Sequence, residues 1–173
     1  MIYEFEGKVP SVGKGSYVAE SAVVIGDVVI GERCFIAPGA VIRGDYGSVR
    51  IGDGSAVEDN VVIHARPGET TVIGKRITLG HGAIIHTPVI EDCAVIGMGA
   101  LVSDFAHIGE WAAIGEGAVV RNRQEIPPGS IAVGVPAKVI GKVDDAYKEQ
   151  WSRFKSIYEE LAEKRYPNGL KKV

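Results

Sequence analysis

An aliphatic residue recurs at every sixth position through most of this chain, and few folds accept such a period. Val18, Val24, Ile30, Ile36 and Ile42 open the series. It resumes after a three-residue insertion at Ile51, Val57 and Ile63, and after a four-residue insertion at Ile73, Leu79 and Ile85. One residue is then dropped, and the run continues through Ile90, Ile96, Val102, Ile108, Ile114 and Val120. The residue two before each of these is usually small, as at Ala22, Cys34, Ala40, Ala83 and Ala94, and the residue just after is often Gly, as at Gly31, Gly52 and Gly74.

Side chains alternate across a strand, so a residue and its neighbour two positions back share a face. One large and one small inward side chain per hexapeptide fit a narrow prism, and the glycine is expected to relax the dihedral limits of the turn. Three hexapeptides then make one triangular coil, and coils stack by parallel pairing at about 4.8 Å. The composition agrees: 23 glycines and only 7% aromatic residues suit tight turns around a thin core. A β-sandwich, with irregular strands and turns roughly every 8–12 residues, does not produce this period. The expected fold class is an all-β solenoid, a left-handed parallel β-helix of hexapeptide repeats with a C-terminal α-helix.

The prism is expected over residues 1–141, with the pattern loosening after 125. Residues 142–166 read as a helix capped by Asp144 or Asp145 and packed on the prism. Trp151, Phe154, Tyr158 and Leu161 lie three to four residues apart and predict its apolar stripe. Residues 167–173 are expected to be a frayed tail.

A formal net charge of −3 gives no basic footprint for nucleic acid. Cys34 and Cys93 form no closely spaced pair, which suits a reducing compartment. The first residues, MIYEFEGK, contain no apolar signal core, and no apolar run is long enough to span a bilayer. A cytoplasmic location without membrane or nucleic-acid partners is the expectation.

Three of the four histidines acquire meaning once the faces are counted. With Val18 on face A, Ile42, Ile63, Ile85 and Val102 fall on face B. His64 and His86 follow Ile63 and Ile85 in the position often held by Gly, and therefore stack at one corner on adjacent coils. Two nitrogens on one tetrahedral zinc lie roughly 3.3 Å apart for bonds of about 2.0–2.1 Å, and stacked imidazoles converge to that. His81 sits at the corner that ends face A, above Asp59 and beside Glu58, and does not reach the pair within one chain. Three prisms side by side bring it to a neighbour's pair, giving interfacial metal sites. His107 has no histidine above or below it and reads as ordinary surface.

These features resemble the γ-class carbonic anhydrase family over nearly the whole chain. The resemblance rests on the hexapeptide prism, RGDYGSVRIGDGSAVEDNVVIH at 43–64, HGAIIH at 81–86, GVPAKVIG at 134–141 and the terminal helix. It implies a homotrimer with one Zn2+ per interface, Fe2+ or Co2+ being alternatives, held by His64 and His86 of one chain and His81 of the next. It also implies an interface network of Arg43 and Asp45 with Asp59 nearby, a catalytic role for Arg43 in holding or attracting bicarbonate, and a Tyr158 hydroxyl directed at the site, with a packing role for that ring equally open; the catalytic position of the family's Gln falls to Glu58. The implied reaction is hydration of carbon dioxide to bicarbonate by a metal-bound hydroxide.

The chain departs from the family in carrying Ala56 and Glu58 where Asn and Gln are usual. Glu58 is open to three readings: acceptor from the bound water, base, or brake on bicarbonate release. The acidic loop that some members carry is here the short ARPGETT, with Glu69 its only carboxylate. Two other functions remain in view: a metal-binding hexapeptide protein with a hydrolytic, thioesterase-like or non-catalytic role, and a coenzyme A-dependent acyltransferase, which needs only one general-base histidine.

Overall fold

A computed structural model describes all residues, 1–173. The chain winds into a left-handed parallel β-solenoid that ends in a single helical segment. Face B is a continuous ladder in which Val24 pairs with Ile42, Ile42 with Ile63, Ile63 with Ile85, Ile85 with Val102 and Val102 with Val120. Face A runs from Val18 through Ile36, Val57, Leu79 and Ile96 to Ile114. The inward aliphatics and their small partners fuse into one core cluster of 33 buried residues. Burying each such isoleucine contributes about 1.5–3 kcal/mol, which is what holds so thin a prism closed.

The solenoid starts earlier and ends later than the periodic stretch. Ile2 pairs with Val24 and Val12 with Ile30, so the first sixteen residues already supply strands. At the other end Ile108 pairs with Ile126 and Ile114 with Ala132 before the chain reverses through an antiparallel strand, Lys138–Lys142. Ala132 stands where an isoleucine was due, and Pro127 and Pro128 occupy the preceding turn, so the period is hidden there.

The glycines act differently from the expectation. The positive φ angles fall three residues after the inward aliphatic, at Gly39, Gly54, Gly82, Gly99 and Gly117. The glycine directly after the aliphatic is needed for close stacking: a Cβ on Gly31 would lie 2.5 Å from Asp53 Oδ1 and 2.7 Å from Asp53 N. The corner at the end of face B has no glycine in that position. Its column is Ile25, Arg43, His64, His86, Ser103 and Arg121, so every coil admits a side chain there.

Helix α1 (Asp145–Glu160) is capped by the Asp144 carboxylate, which accepts from Tyr147 N–H at 2.8 Å. It leads into a π turn (Leu161–Arg165) and a final turn α2 (Tyr166–Gly169), so helical structure runs past the expected boundary at 166. No helix is long and apolar enough to cross a membrane. The helical segment covers the outer wall of face A. Its C-terminal half seals onto the first coils through rings: Tyr166 lies 5.0 Å from Tyr17 and 4.9 Å from Phe35, and Tyr158 5.8 Å from Phe35, centroid to centroid. Glu159 clamps the same half to Arg33 and Arg76 at 3.1 Å each.

The expected stripe is corrected in one respect. Phe154 is 41% exposed, and the side chain buried beneath the middle of the helix is Lys155. Its stem fills apolar space while Nζ donates to Thr78 Oγ1 at 3.1 Å and to the Ala94 carbonyl at 3.3 Å. A lysine read by its charge is assigned to the solvent face, although its four methylenes pack like an apolar side chain.

Burial drives the Lys155 ammonium down to about 7, with Arg76 also lowering it and Cys93 and Glu58 pulling the other way. Between about 7 and the ordinary value of 10.5 the unfolded chain carries a proton that the folded chain has released. Stability should therefore rise with pH across that window, and the penalty is fully present below it. We expect the thermal midpoint to increase from about pH 7 to about pH 9, and Lys155→Met to flatten that rise and stabilise the protein at neutral pH by about 1–2 kcal/mol. Calorimetry across the range checks both; an unchanged slope in the variant would refute the assignment.

Candidate metal centre

The ladder that pairs Ile63 with Ile85 also pairs His64 with His86. Both rings leave the prism at the glycine-free corner, with their centroids 5.2 Å apart. His64 Nδ1 and His86 Nε2 face each other at 3.2 Å, close to the separation expected of two ligands on one tetrahedral ion.

The remaining nitrogen of each ring is held by a carboxylate. His64 Nε2 donates to Asp45 Oδ1 at 2.8 Å, and His86 Nδ1 donates to Asp104 Oδ1 at 2.5 Å. An ionised carboxylate only accepts, so these bonds fix the proton on the far side of each ring and leave the two facing nitrogens with lone pairs. Two lone pairs 3.2 Å apart require something positive between them, a shared proton or a metal ion. The donor set fits a divalent transition metal on this observation.

Both carboxylates are held down electrostatically. Burial pushes the Asp45 carboxyl up, but hydrogen bonds from His64, the Tyr46 amide and Arg43 outweigh it and bring the pKa to about 2. At Asp104 the Arg66 guanidinium, 2.8 Å away, is the largest influence; burial opposes it, His86 adds to it, and the result is again about 2. The corner itself is braced by buried threonines. Thr71 Oγ1 donates to the His64 carbonyl at 2.6 Å and accepts from Thr87 N–H at 3.0 Å. Thr87 Oγ1 accepts from Arg66 N–H at 2.9 Å. The residue missing from the hexapeptide count lies here, where Thr87 takes a left-handed φ of 56° to turn the shortened corner.

His81 lies at the opposite edge of face B, where face A ends, and is half exposed. Its Nε2 is 3.0 Å from Glu58 Oε2 and its Nδ1 is 2.8 Å from Asp59 Oδ2. Within one chain no group of three metal-binding side chains forms, and His81 is accordingly not part of the His64–His86 pair. Glu58 is 6% exposed. One of its oxygens accepts from the Tyr158 hydroxyl and the other from His81 N–H at 3.1 Å. Burial, followed by that bond to Glu58, raises the Tyr158 phenol well above the usual range.

Arg43 reaches Asp45 as an ion pair, so it joins the His64 cluster, whereas Asp59 sits with His81 at the other corner. His107 is a surface residue whose Nε2 lies 2.9 Å from Glu91. Asp104 and Arg66 escape a reading based on histidine spacing. The signal for Asp104 is positional: it falls two residues after Val102 on the coil above His86.

Asp45 and Asp104 should both remain ionised until the pH falls through about 2, and whatever stability they lend is present above about 3.8 and lost below it. Arg66→Ala should move Asp104 back toward the ordinary carboxylate value while leaving Asp45 in place. Carboxyl-carbon NMR titration reads both, and equal movement of the two would contradict separate causes for the two depressed values.

Comparison with known proteins gives hexapeptide-repeat relatives under several names. The "Bacterial transferase hexapeptide (six repeats)" model matches residues 10–44. A protein named carbonic anhydrase from Geobacillus kaustophilus is 37% identical, covering 92% of this chain and 88% of its own length. The mitochondrial gamma carbonic anhydrase 1 of Arabidopsis thaliana is 36% identical over 90% of this chain, which spans 59% of that longer protein. Carnitine operon protein CaiE of Salmonella agona is 35% identical, covering 92% and 81%. Among solved structures, a Bacillus cereus protein assigned as an acetyltransferase superimposes with a TM-score of 0.91 at 35% identity, covering 94% and 95% of the two chains.

Proposed function

The chain belongs to the γ-class carbonic anhydrase family of hexapeptide-repeat proteins, and from that premise we propose that it hydrates carbon dioxide to bicarbonate at metal centres built between the chains of a homotrimer. The observation that carries the proposal is the 3.2 Å approach of His64 Nδ1 and His86 Nε2, each backed by a carboxylate on its other nitrogen.

Two ligands leave a divalent ion short, and the outer surface of face B suggests where the third comes from. Val41, Val62, Ile84, Leu101 and Val119 form an outward aliphatic column, with Val62 39% and Ile84 45% exposed. One edge of that column carries His81 and the other carries His64 and His86. Three copies that bury this face around a common axis bring each His64–His86 pair against the partner's His81, one nitrogen of which must leave its carboxylate, Glu58 or Asp59, to complete the ligand set. A contiguous apolar strip on a protein surface is best explained by such burial.

When bound, a divalent metal in this donor set supplies Lewis acidity that brings a coordinated water's pKa toward about 7. Zn2+ is the proposed ion, with Fe2+ or Co2+ suited to the same ligands. The protein's part is positional and electrostatic. Asp45 and Asp104 accept from the outer nitrogen of each imidazole, which turns the facing nitrogens toward the ion's position and fixes the ring planes. Arg43, with 40% of its side chain exposed beside Asp45, attracts the bicarbonate anion. Glu58, pinned between the Tyr158 hydroxyl and the His81 amide, holds the His81 corner in place. Both Glu58 and Tyr158 then act as positioning groups, and Tyr158 serves through its hydroxyl as well as through its packing on Phe35.

An acyltransferase with one general-base histidine has no use for a second imidazole 3.2 Å away or for two orienting carboxylates. The carbonic anhydrase reading is therefore preferred.

The purified protein should be trimeric by light scattering, contain about one divalent ion per chain, and hydrate carbon dioxide in stopped-flow assays. His86→Ala should abolish metal retention and hydration while leaving the circular dichroism of the solenoid unchanged. Asp104→Asn should retain the fold and weaken metal binding roughly 10–100-fold. A fully metal-loaded trimer that does not hydrate carbon dioxide would overturn the reading.

A further inference from the structure

Helix α1 seals face A at its C-terminal half but not at its N-terminal half. The outer wall of face A reads Tyr17, Phe35, Ala56, Thr78, Val95, Ala113 and Ile131 from the first coil onward. Rings fill the gap beneath the helix over the first two of these. Beyond them the wall becomes small, and the helix presents Tyr147 and Trp151 across a cavity of about 520 Å3. Glu58 and His81 line one end of the cavity, and Val133 lines the other.

Carbon dioxide does not require this space. A cavity of about 150 Å3 already holds benzene, and sites for small organic molecules run from about 300 Å3 upward. The lining is mostly apolar, with Val95, Ala113, Ile131 and Trp151 giving the walls. Its charges do not favour an ionic guest. Glu58 and Glu116 oppose an anion, and the largely apolar lining makes burial of any full charge costly. Glu58 accepts from Tyr158 and His81 and, as a carboxylate, retains capacity for one more donor.

We infer that this cavity is a binding site for an uncharged, largely apolar organic molecule bearing a hydrogen-bond donor, with its apolar body between Ala113 and Trp151 and its donor end at Glu58. The site shares Glu58 and His81 with the proposed metal centre, so it extends that reading to an organic substrate or effector. Its occupancy is measured without reference to carbon dioxide hydration.

The test uses the intact metal-loaded protein and three probes of one shape: benzyl alcohol, benzylamine and benzoate. Calorimetry or ligand-observed NMR should give benzyl alcohol a Kd of about 1 mM or tighter, with the two charged probes at least about fivefold weaker. Ala113→Phe, which puts a ring into the cavity, should weaken benzyl alcohol at least about tenfold. Ala113→Leu serves as the milder filling variant should the larger one misfold, and should weaken it about threefold. Neither change touches the metal residues, and both should leave metal content at the wild-type level. Absence of benzyl alcohol binding at about 10 mM, preference for benzoate or benzylamine, or an affinity indifferent to both substitutions in folded protein would each overturn the inference. Loss of hydration activity with probe binding intact would instead remove the carbonic anhydrase reading and leave this one standing.

Discussion

Everything in this molecule depends on the vertical registration of one coil over the next. Backbone pairing between Ile63 and Ile85 fixes the height and azimuth of both residues, and the histidine that follows each has no freedom beyond its own side-chain rotamers. A β-ladder spaces its strands by about 4.8 Å, larger than the separation two ligands on one ion require. The rings close the difference by tilting toward each other, to an interplanar angle of 50°. Asp45 and Asp104 hold that tilt from outside. The ladder supplies position, and the carboxylates supply orientation.

The same registration explains why so much could be read from sequence. A one-residue slip would turn every inward aliphatic outward, so the insertions before Ile51 and Ile73 and the deletion before Ile90 must be absorbed at corners, and face counting survives them. His64, His86 and the separate position of His81 follow from that count alone. What escaped depends on side-chain length and local chemistry. Lys155 is charged in sequence and apolar in packing. Ala132 keeps its place in the ladder without the size that marks the period. Asp104 is one carboxylate among many until the coil above His86 is built. The turn glycines were legible as glycines but not in their reason, since close approach between coils, as at Gly31 against Asp53, appears only when the coils are stacked.

The glycine-free column at the end of face B has a structural consequence of its own. Where glycines follow the inward aliphatic, as at Gly31, Gly52 and Gly74, the neighbouring backbone comes too near for a Cβ. Where Arg43, His64 and His86 occupy that position, the corner is open enough to carry functional side chains on successive coils. Its long excursion through Arg43, Gly44 and Asp45, within the eleven-residue strand Val41–Ile51, takes Asp45 to the His64 ring. The insertion is therefore not a tolerated irregularity but the means by which a carboxylate arrives beside an imidazole that the plain repeat could not reach.

The two ends of helix α1 solve opposite problems with the same wall. Over the first coils Tyr17 and Phe35 project into aromatic partners from the helical segment, and the contact is sealed. Over the later coils the wall shrinks to Thr78, Val95 and Ala113, and the helix, already fixed by its C-terminal rings and by Glu159 between Arg33 and Arg76, cannot settle into the space. Lys155 sits at the boundary, its amine bonded across to Thr78 and Ala94, and props the helix at that height. The void is thus the outcome of anchoring a rigid rod at one end above a wall that recedes at the other. Protein interiors otherwise close-pack, and larger residues at positions 95 and 113 would have narrowed it. That the receding wall begins where Glu58 and His81 stand ties the cavity to the corner that ends face A rather than to the helix alone.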